Sequence, residues 1–125
     1  MQNVLCVDDS RIMRTMIRGT AEVLGLGFLE APNGKTALEV LAANADTVGL
    51  ICLDINMPEM SGLELLGRIK GDERFRHIPV MMITTESCKS SIVAAIKGGA
   101  ANYLCKPFKQ EDLATKMVDT LGLAV

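Results

Sequence analysis

A chain of 125 residues suffices for one domain with a single buried core. Thirteen Lys and Arg against fifteen Asp and Glu leave a formal net charge of -2, without the basic excess that duplex nucleic-acid binding needs. No uninterrupted apolar stretch approaches the roughly 18 residues of a membrane span, and the chain enters Val4-Leu5-Cys6-Val7 without a basic leader or cleavage site, so a cytoplasmic protein is expected.

Val4-Leu5-Cys6-Val7 has the length and continuous hydrophobicity of a strand buried on both faces. Ile12, Met13, Met16, Ile17, Val23 and Leu24 then recur at helical spacing, with Arg11, Arg14, Arg18 and Glu22 on the other face, which predicts an amphipathic helix. Phe28-Leu29-Glu30-Ala31 is more mixed and suits an edge strand. A helix over Leu38, Leu41, Ala42 and Ala45 leads to a second buried strand, Leu50-Ile51-Cys52-Leu53. Leu63, Leu66 and Ile69 mark a third helix, Val80-Met81-Met82-Ile83 a third buried strand, and Ile92, Val93 and Ile96 a fourth helix. Asn102-Tyr103-Leu104-Cys105 is the second mixed strand, followed by a helix through Leu113, Met117 and Leu121.

Five strands alternating with five helices over short connections predict an α/β fold, a single-domain (βα)5 doubly wound parallel sheet with right-handed crossovers. No linker, repeat or low-complexity stretch divides residues 1–125. Cys6, Cys52, Cys88 and Cys105 form no C-x-x-C pair, and three of them lie in or at the end of apolar runs, where a reduced thiol packs as a small hydrophobe. Met13, Met16, Met81, Met82 and Met117 occupy apolar positions and are read as core filling.

Open parallel sheets bind ligands beyond the carboxyl ends of their strands. Those ends carry Asp8-Asp9, Asp54, Thr84 and Lys106. Taken singly each has an ordinary explanation: Asp9 and Ser10 cap the next helix, Asp54 is a loop acid, Thr84 a strand-end hydroxyl and Lys106 a solvated cation. Placed together on one rim, three carboxylates raise one another's pKa unless a cation joins them. A few hard oxygen donors suit Mg²⁺, with Mn²⁺ an alternative. With Lys106 protonated the formal charge is about -2, which one divalent ion neutralises, and Asp54 is then the candidate nucleophile toward a phosphoryl group.

The set Val7-Asp8-Asp9-Ser10, Asp54-Ile55-Asn56-Met57-Pro58, Gly62, Thr84 and Lys106-Pro107-Phe108 closely resembles the receiver domains of response regulators over nearly the entire chain, and within them the stand-alone chemotaxis regulators. The resemblance implies strand order 2-1-3-4-5. It implies that Asp8, Asp9, Asp54 and the Asn56 carbonyl hold the metal and that a histidine kinase phosphorylates Asp54. Thr84 and Lys106 would contact phosphate oxygens, and Tyr103 would swing inward as Thr84 moves. The Lys106-Pro107 bond is expected to be cis. Asn56 and Glu86 stand where the family tunes hydrolytic water, and Thr85 replaces a smaller alanine of the chemotaxis regulator, which would crowd the phosphoryl group. Such a protein catalyses nothing beyond its own phosphorylation and dephosphorylation. Its implied partners are the flagellar motor switch protein and a phosphatase, met by a face built from the helix beginning near Ser87, the strand of Tyr103 and the last helix. Tyr103, Lys97 and Ile92-Val93-Ala94-Ala95 favour chemotaxis.

Outside the resemblance, Tyr103 reads as a half-buried edge aromatic and His77 as a surface residue of a polar loop. A flavin-binding electron carrier of the same topology would need a Ser/Thr/Gly phosphate loop and aromatic stacking partners, whereas the first loop is acidic and Trp is absent. An aspartyl-phosphate phosphatase would need an acid two residues after Asp54, where Asn56 stands. A receiver of another phosphorelay stays open, because Leu121-Gly122-Leu123-Ala124-Val125 suits either a natural end or a cut before an output domain; none is expected within this chain.

Overall fold

The computed structural model describes residues 2–85 and 89–122. Strands and helices alternate as β1 (Asn3–Val7), α1 (Arg11–Val23), β2 (Gly27–Ala31), α2 (Gly34–Asn44), β3 (Val48–Leu53), α3 (Gly62–Lys70), β4 (Val80–Thr84), α4 (Lys89–Lys97), β5 (Asn102–Cys105) and α5 (Gln110–Leu121). All four strand pairings are parallel, and the sheet order is β2-β1-β3-β4-β5, as expected. The three continuously apolar runs lie in the centre, where both faces are covered. The two mixed runs lie at the edges and are only partly buried.

Successive strand residues point to opposite faces, and this divides the core in two. Leu5, Val7, Ile51, Leu53 and Met82 face Leu41 of α2, Leu65, Leu66 and Ile69 of α3 and Ala95 of α4. Val4, Cys6, Leu50, Cys52, Met81 and Ile83 face Ile17 and Ala21 of α1 and Leu113 and Met117 of α5. Cys6 and Cys52 are thus buried as packing, and Cys105 is partly buried; Cys88 lies outside the described residues. No described helix is long and apolar enough to cross a membrane.

Two helices depart from the expected faces. In α1, Ile12 and Val23 are 84% and 78% exposed. At about 100° per residue they lie roughly 140° and 120° around the helix from buried Ile17, so neither belongs to the inward stripe. The stripe uses Thr20 instead, whose hydroxyl donates to the Met16 carbonyl (3.1 Å) and accepts from Gln110 Nε2 of α5 (3.3 Å). In α4 small Ala95 is the buried residue while Val93 and Ile96 face outward. The expected start of that helix near Ser87 lies outside the described residues.

β1 has β2 on one side and β3 on the other, so the chain reverses its winding between them. Val7 pairs with Leu53, and their successors Asp8 and Asp54 therefore leave the sheet side by side. Thr84 pairs with Cys105, which brings Lys106 to the same rim.

Candidate functional site

Asp8 is almost fully buried, and each of its polar atoms is held. Its N–H donates to the Ala31 carbonyl (3.2 Å), continuing the sheet one residue beyond β1. Its Oδ1 accepts from the Ser10 N–H (2.8 Å), and its carbonyl accepts from Arg14 Nη1 (2.7 Å). Arg14, expected on the outer face of α1, instead ties that helix to the end of β1 and pairs with Glu30 of β2 at 2.8 Å. Sequence reading missed this role because Arg14 follows the same helical spacing as its exposed neighbours.

Ser10 is the N-cap of α1, its hydroxyl accepting from the Met13 N–H (3.3 Å). The capping explanation therefore applies to Ser10, and Asp9 stands exposed beside Asp8. Asp54 is 7% exposed; its N–H donates to the Val7 carbonyl (3.0 Å), and its Oδ1 accepts a long bond from the Asn56 N–H (3.3 Å). Each of Asp8, Asp9 and Asp54 offers one carboxylate oxygen, and these oxygens all lie within 4.8 Å of one another.

Lys106 arrives from β5, 98 residues after Asp8 in sequence. Its Nζ lies 3.2 Å from Asp8 Oδ2 and 3.5 Å from Asp54 Oδ2. Its N–H donates to the Thr84 carbonyl (2.8 Å), and the Lys106-Pro107 peptide is cis, as expected. Thr84 is fully buried. Tyr103, paired with Met82, is half-buried against the α2–α4 side of the core. Thr85 is exposed and lines a shallow apolar groove with Met13, Met16, Lys106, Pro107 and Phe108. Asn56 and His77 are exposed, and Glu86 lies outside the described residues.

Gly62, quoted above only as part of a motif, has a steric reason. A Cβ there would run into the Asp54 carbonyl oxygen and lie 2.7 Å from Ile55 Cα. Its N–H donates to the Ile55 carbonyl (2.8 Å), so α3 starts pressed against the backbone that carries Asp54.

Three carboxylates and one ammonium sum to a formal -2. Burial pushes the Asp8 carboxyl above its ordinary value; the Ser10 N–H and the Lys106 charge oppose the rise, and the Asp54 charge adds to it. An acidic cluster that penalises its own ionised form, built from hard oxygen donors, fits a divalent cation.

Comparison with known proteins agrees with this geometry. The family model of the response regulator receiver domain matches residues 4–118. Chemotaxis protein CheY1 of Helicobacter pylori is 48% identical over 120 residues, covering 95% of this chain and 96% of that protein. A CheY homologue of Campylobacter jejuni is 41% identical over 120 residues, covering 95% and 92%. The structure of Vibrio cholerae chemotaxis protein CheY4 superposes with a TM-score of 0.88 at 30% identity, covering 96% of this chain and 98% of that one. With the matched family spanning nearly the whole chain and the strand-end acids and lysine gathered on one rim, this chain belongs to the response regulator receiver domains.

Proposed function

We propose that residues 1–125 form one receiver domain that takes a phosphoryl group from a histidine kinase onto Asp54 and signals by binding a partner, the flagellar motor switch of chemotaxis. The observation that carries this reading is the convergence of Asp8, Asp9 and Asp54 with Lys106 Nζ, 3.5 Å from Asp54 Oδ2. A carboxylate oxygen of Asp54 attacks phosphorus in line; the new P–O bond forms as the P–N bond of the kinase phosphohistidine breaks, its electron pair passing to the imidazole nitrogen. The carboxylates of Asp8, Asp9 and Asp54 and the Asn56 carbonyl would hold Mg²⁺, which when bound would neutralise charge on the phosphoryl oxygens. Lys106 exchanges its contact with Asp54 for one with a phosphoryl oxygen, and the Thr84 hydroxyl binds another.

Thr84 and Lys106 are joined through the backbone bond between β4 and β5, so a shift at one is felt at the other. Tyr103 moves inward with Thr84, and phosphorylation shifts the population of two arrangements of the face around α4, β5 and α5. Exposed Val93 and Ile96 supply apolar contact area on that face. The chemotaxis names of relatives at 48% and 41% identity support the motor switch as the target; the resemblance to stand-alone chemotaxis regulators adds a phosphatase as the terminator and the cytoplasm as the location. Turnover is confined to gain and loss of the protein's own phosphoryl group.

The test is intact mass after incubation with a small-molecule phosphodonor, with and without Mg²⁺, on the native chain and on Asp54→Asn. One added phosphate requiring both Mg²⁺ and Asp54 is expected. No adduct under rapid trapping, or an adduct on Asp54→Asn, refutes the assignment. Binding of the phosphorylated chain to a motor switch peptide then separates chemotaxis from another phosphorelay.

A further inference from the structure

The loop from β3 to α3 carries Asn56, and its two ends are held very differently. At its base, Gly62 lies against the Asp54 and Ile55 backbone and bonds to the Ile55 carbonyl. Its tip turns through Glu59, which is at φ 69°, with the Met60 N–H donating to the Pro58 carbonyl (2.8 Å). A non-glycine residue in the left-handed region is unfavourable, so the surrounding structure must hold that turn in place. Asn56 itself is exposed, and its 3.3 Å bond to Asp54 Oδ1 is too long to be a strong restraint.

The restraint comes from another element. Met60 packs onto Gly34, the buried first residue of α2, whose position is set by the Asn33 cap: Asn33 Oδ1 accepts from the Thr36 N–H at 2.8 Å. A Cβ on Gly34 would lie 2.6 Å from Met60 Sδ and 3.2 Å from Met60 Cβ and Cγ. The thioether is the closest atom and can turn away, but Met60 Cβ and Cγ would still have to give by a few tenths of an ångström, which moves the root of the side chain and the backbone that carries it. Between Met60 and Asn56 lie Met57, Pro58 and Glu59; Pro58 has a ring-fixed φ, and Met57, like Met60, packs against the buried core. A displacement at Met60 thus passes along a short, stiff segment.

We propose that Gly34 and Met60 are positioning residues whose contact holds the tip of the β3–α3 loop and, through it, the Asn56 carbonyl in register with Asp8, Asp9 and Asp54. This rests on the divalent-cation reading given above. Mg²⁺ demands near-ideal octahedral geometry, so a displacement of a few tenths of an ångström at one ligand is felt in affinity. Gly34 is then a glycine because of the cation site, although it lies on α2 and contributes no ligand.

The test compares the native chain with Gly34→Ala, Met60→Ala and the double variant. Amide exchange of residues 55–60 is read by NMR in metal-free protein, and Mg²⁺ affinity by calorimetry. Gly34→Ala should shift and loosen the Asn56 and Met57 amides without metal and weaken Mg²⁺ binding about tenfold, as loss of a supporting contact around a metal typically does. Met60→Ala, which only removes atoms and so guards against a failure of Gly34→Ala to fold, should accelerate exchange at the same amides and weaken Mg²⁺ in the same direction. The double variant loses the 2.6 Å contact with the thioether but keeps the 3.2 Å contact at the Cβ of residue 60, so it should recover part of the affinity that Gly34→Ala loses. Mg²⁺ binding unchanged in both single variants, with unfolding midpoints alone altered, overturns the positioning role. A native chain that binds no Mg²⁺ overturns the reading of the site itself, and the positioning role with it.

Discussion

Asp9→Asn is expected to stabilise the metal-free protein and destabilise the metal-loaded one. Asp9 is exposed and makes no hydrogen bond or ion pair among the described residues, so the substitution removes charge without removing packing. Its carboxylate lies within 4.8 Å of oxygens of both Asp8 and Asp54. At that separation two unit charges repel by about 0.9 kcal/mol in a water-like medium and about 3.5 kcal/mol at an effective dielectric of 20. Exposure of Asp9 makes the lower figure govern, giving about 2 kcal/mol for the two pairs, which the positive charge of Lys106 on the same rim reduces. The net gain of about 1 kcal/mol raises the midpoint of a 125-residue domain by about 3–5 °C.

The assay is thermal or urea unfolding of both proteins in EDTA at low salt, repeated with Mg²⁺. On the proposed cation site, Mg²⁺ at a free concentration 100 times its Kd should stabilise the native protein by about 2.7 kcal/mol, and the variant, lacking one proposed ligand, should gain far less. The order of stability inverts between the two conditions, and the gain in EDTA shrinks as salt screens the exposed charge. A variant no more stable than native in low-salt EDTA, or one that gains as much from Mg²⁺ as native does, would refute the reasoning.

Gly62→Ala should be costly at one point, because its methyl meets backbone: a loss of about 3 kcal/mol is expected in urea unfolding, with weaker Mg²⁺ binding as the Asp54–Asn56 segment moves. A loss below 1 kcal/mol would mean that the start of α3 shifts freely. Burial pushes the Cys52 thiol up to about 12 from 9.0, and Cys6 moves in the same direction. The folded state then holds a proton that the unfolded chain releases, so this contribution is intact below pH 9 and declines from there to about pH 12 by about 1.4 kcal/mol per pH unit for Cys52. Urea unfolding between pH 9 and 10.5 should show that slope reduced in Cys52→Ala; equal slopes would sink the assignment. Thr85→Ala, which opens the groove beside Lys106, should speed loss of phosphate from phosphorylated Asp54, and an unchanged rate would show that Thr85 does not crowd the site.

Much of this protein is written locally. Leu50 to Leu53 read as a strand covered on both faces because the run is short and unbroken, and β3 lies in the middle of the sheet. Asp8, Asp9, Asp54, Thr84 and Lys106 were legible as one rim because a parallel sheet carries all its strand ends to the same side. Periodicity alone did not decide which apolar residues of a helix turn inward. Ile12, Val23, Val93 and Ile96 are apolar yet exposed, and the seating of each helix on the sheet, which turns Ile17 and Ala95 inward, leaves them off the buried stripe. Spacing likewise did not distinguish Arg14, which reaches the Asp8 carbonyl, from half-exposed Arg18, which pairs with Glu30 at 2.6 Å.

What the sequence by itself determined is the alternation of elements and the residue types at the strand ends, since both follow from interactions within a few residues. The tertiary structure alone decided the distances: Lys106 Nζ at 3.2 Å from Asp8, the Gly62 backbone against Asp54, and Met60 against Gly34. Each of these joins segments that are remote in sequence or held by different elements, and only closing the sheet and packing the helices against it brings them into contact.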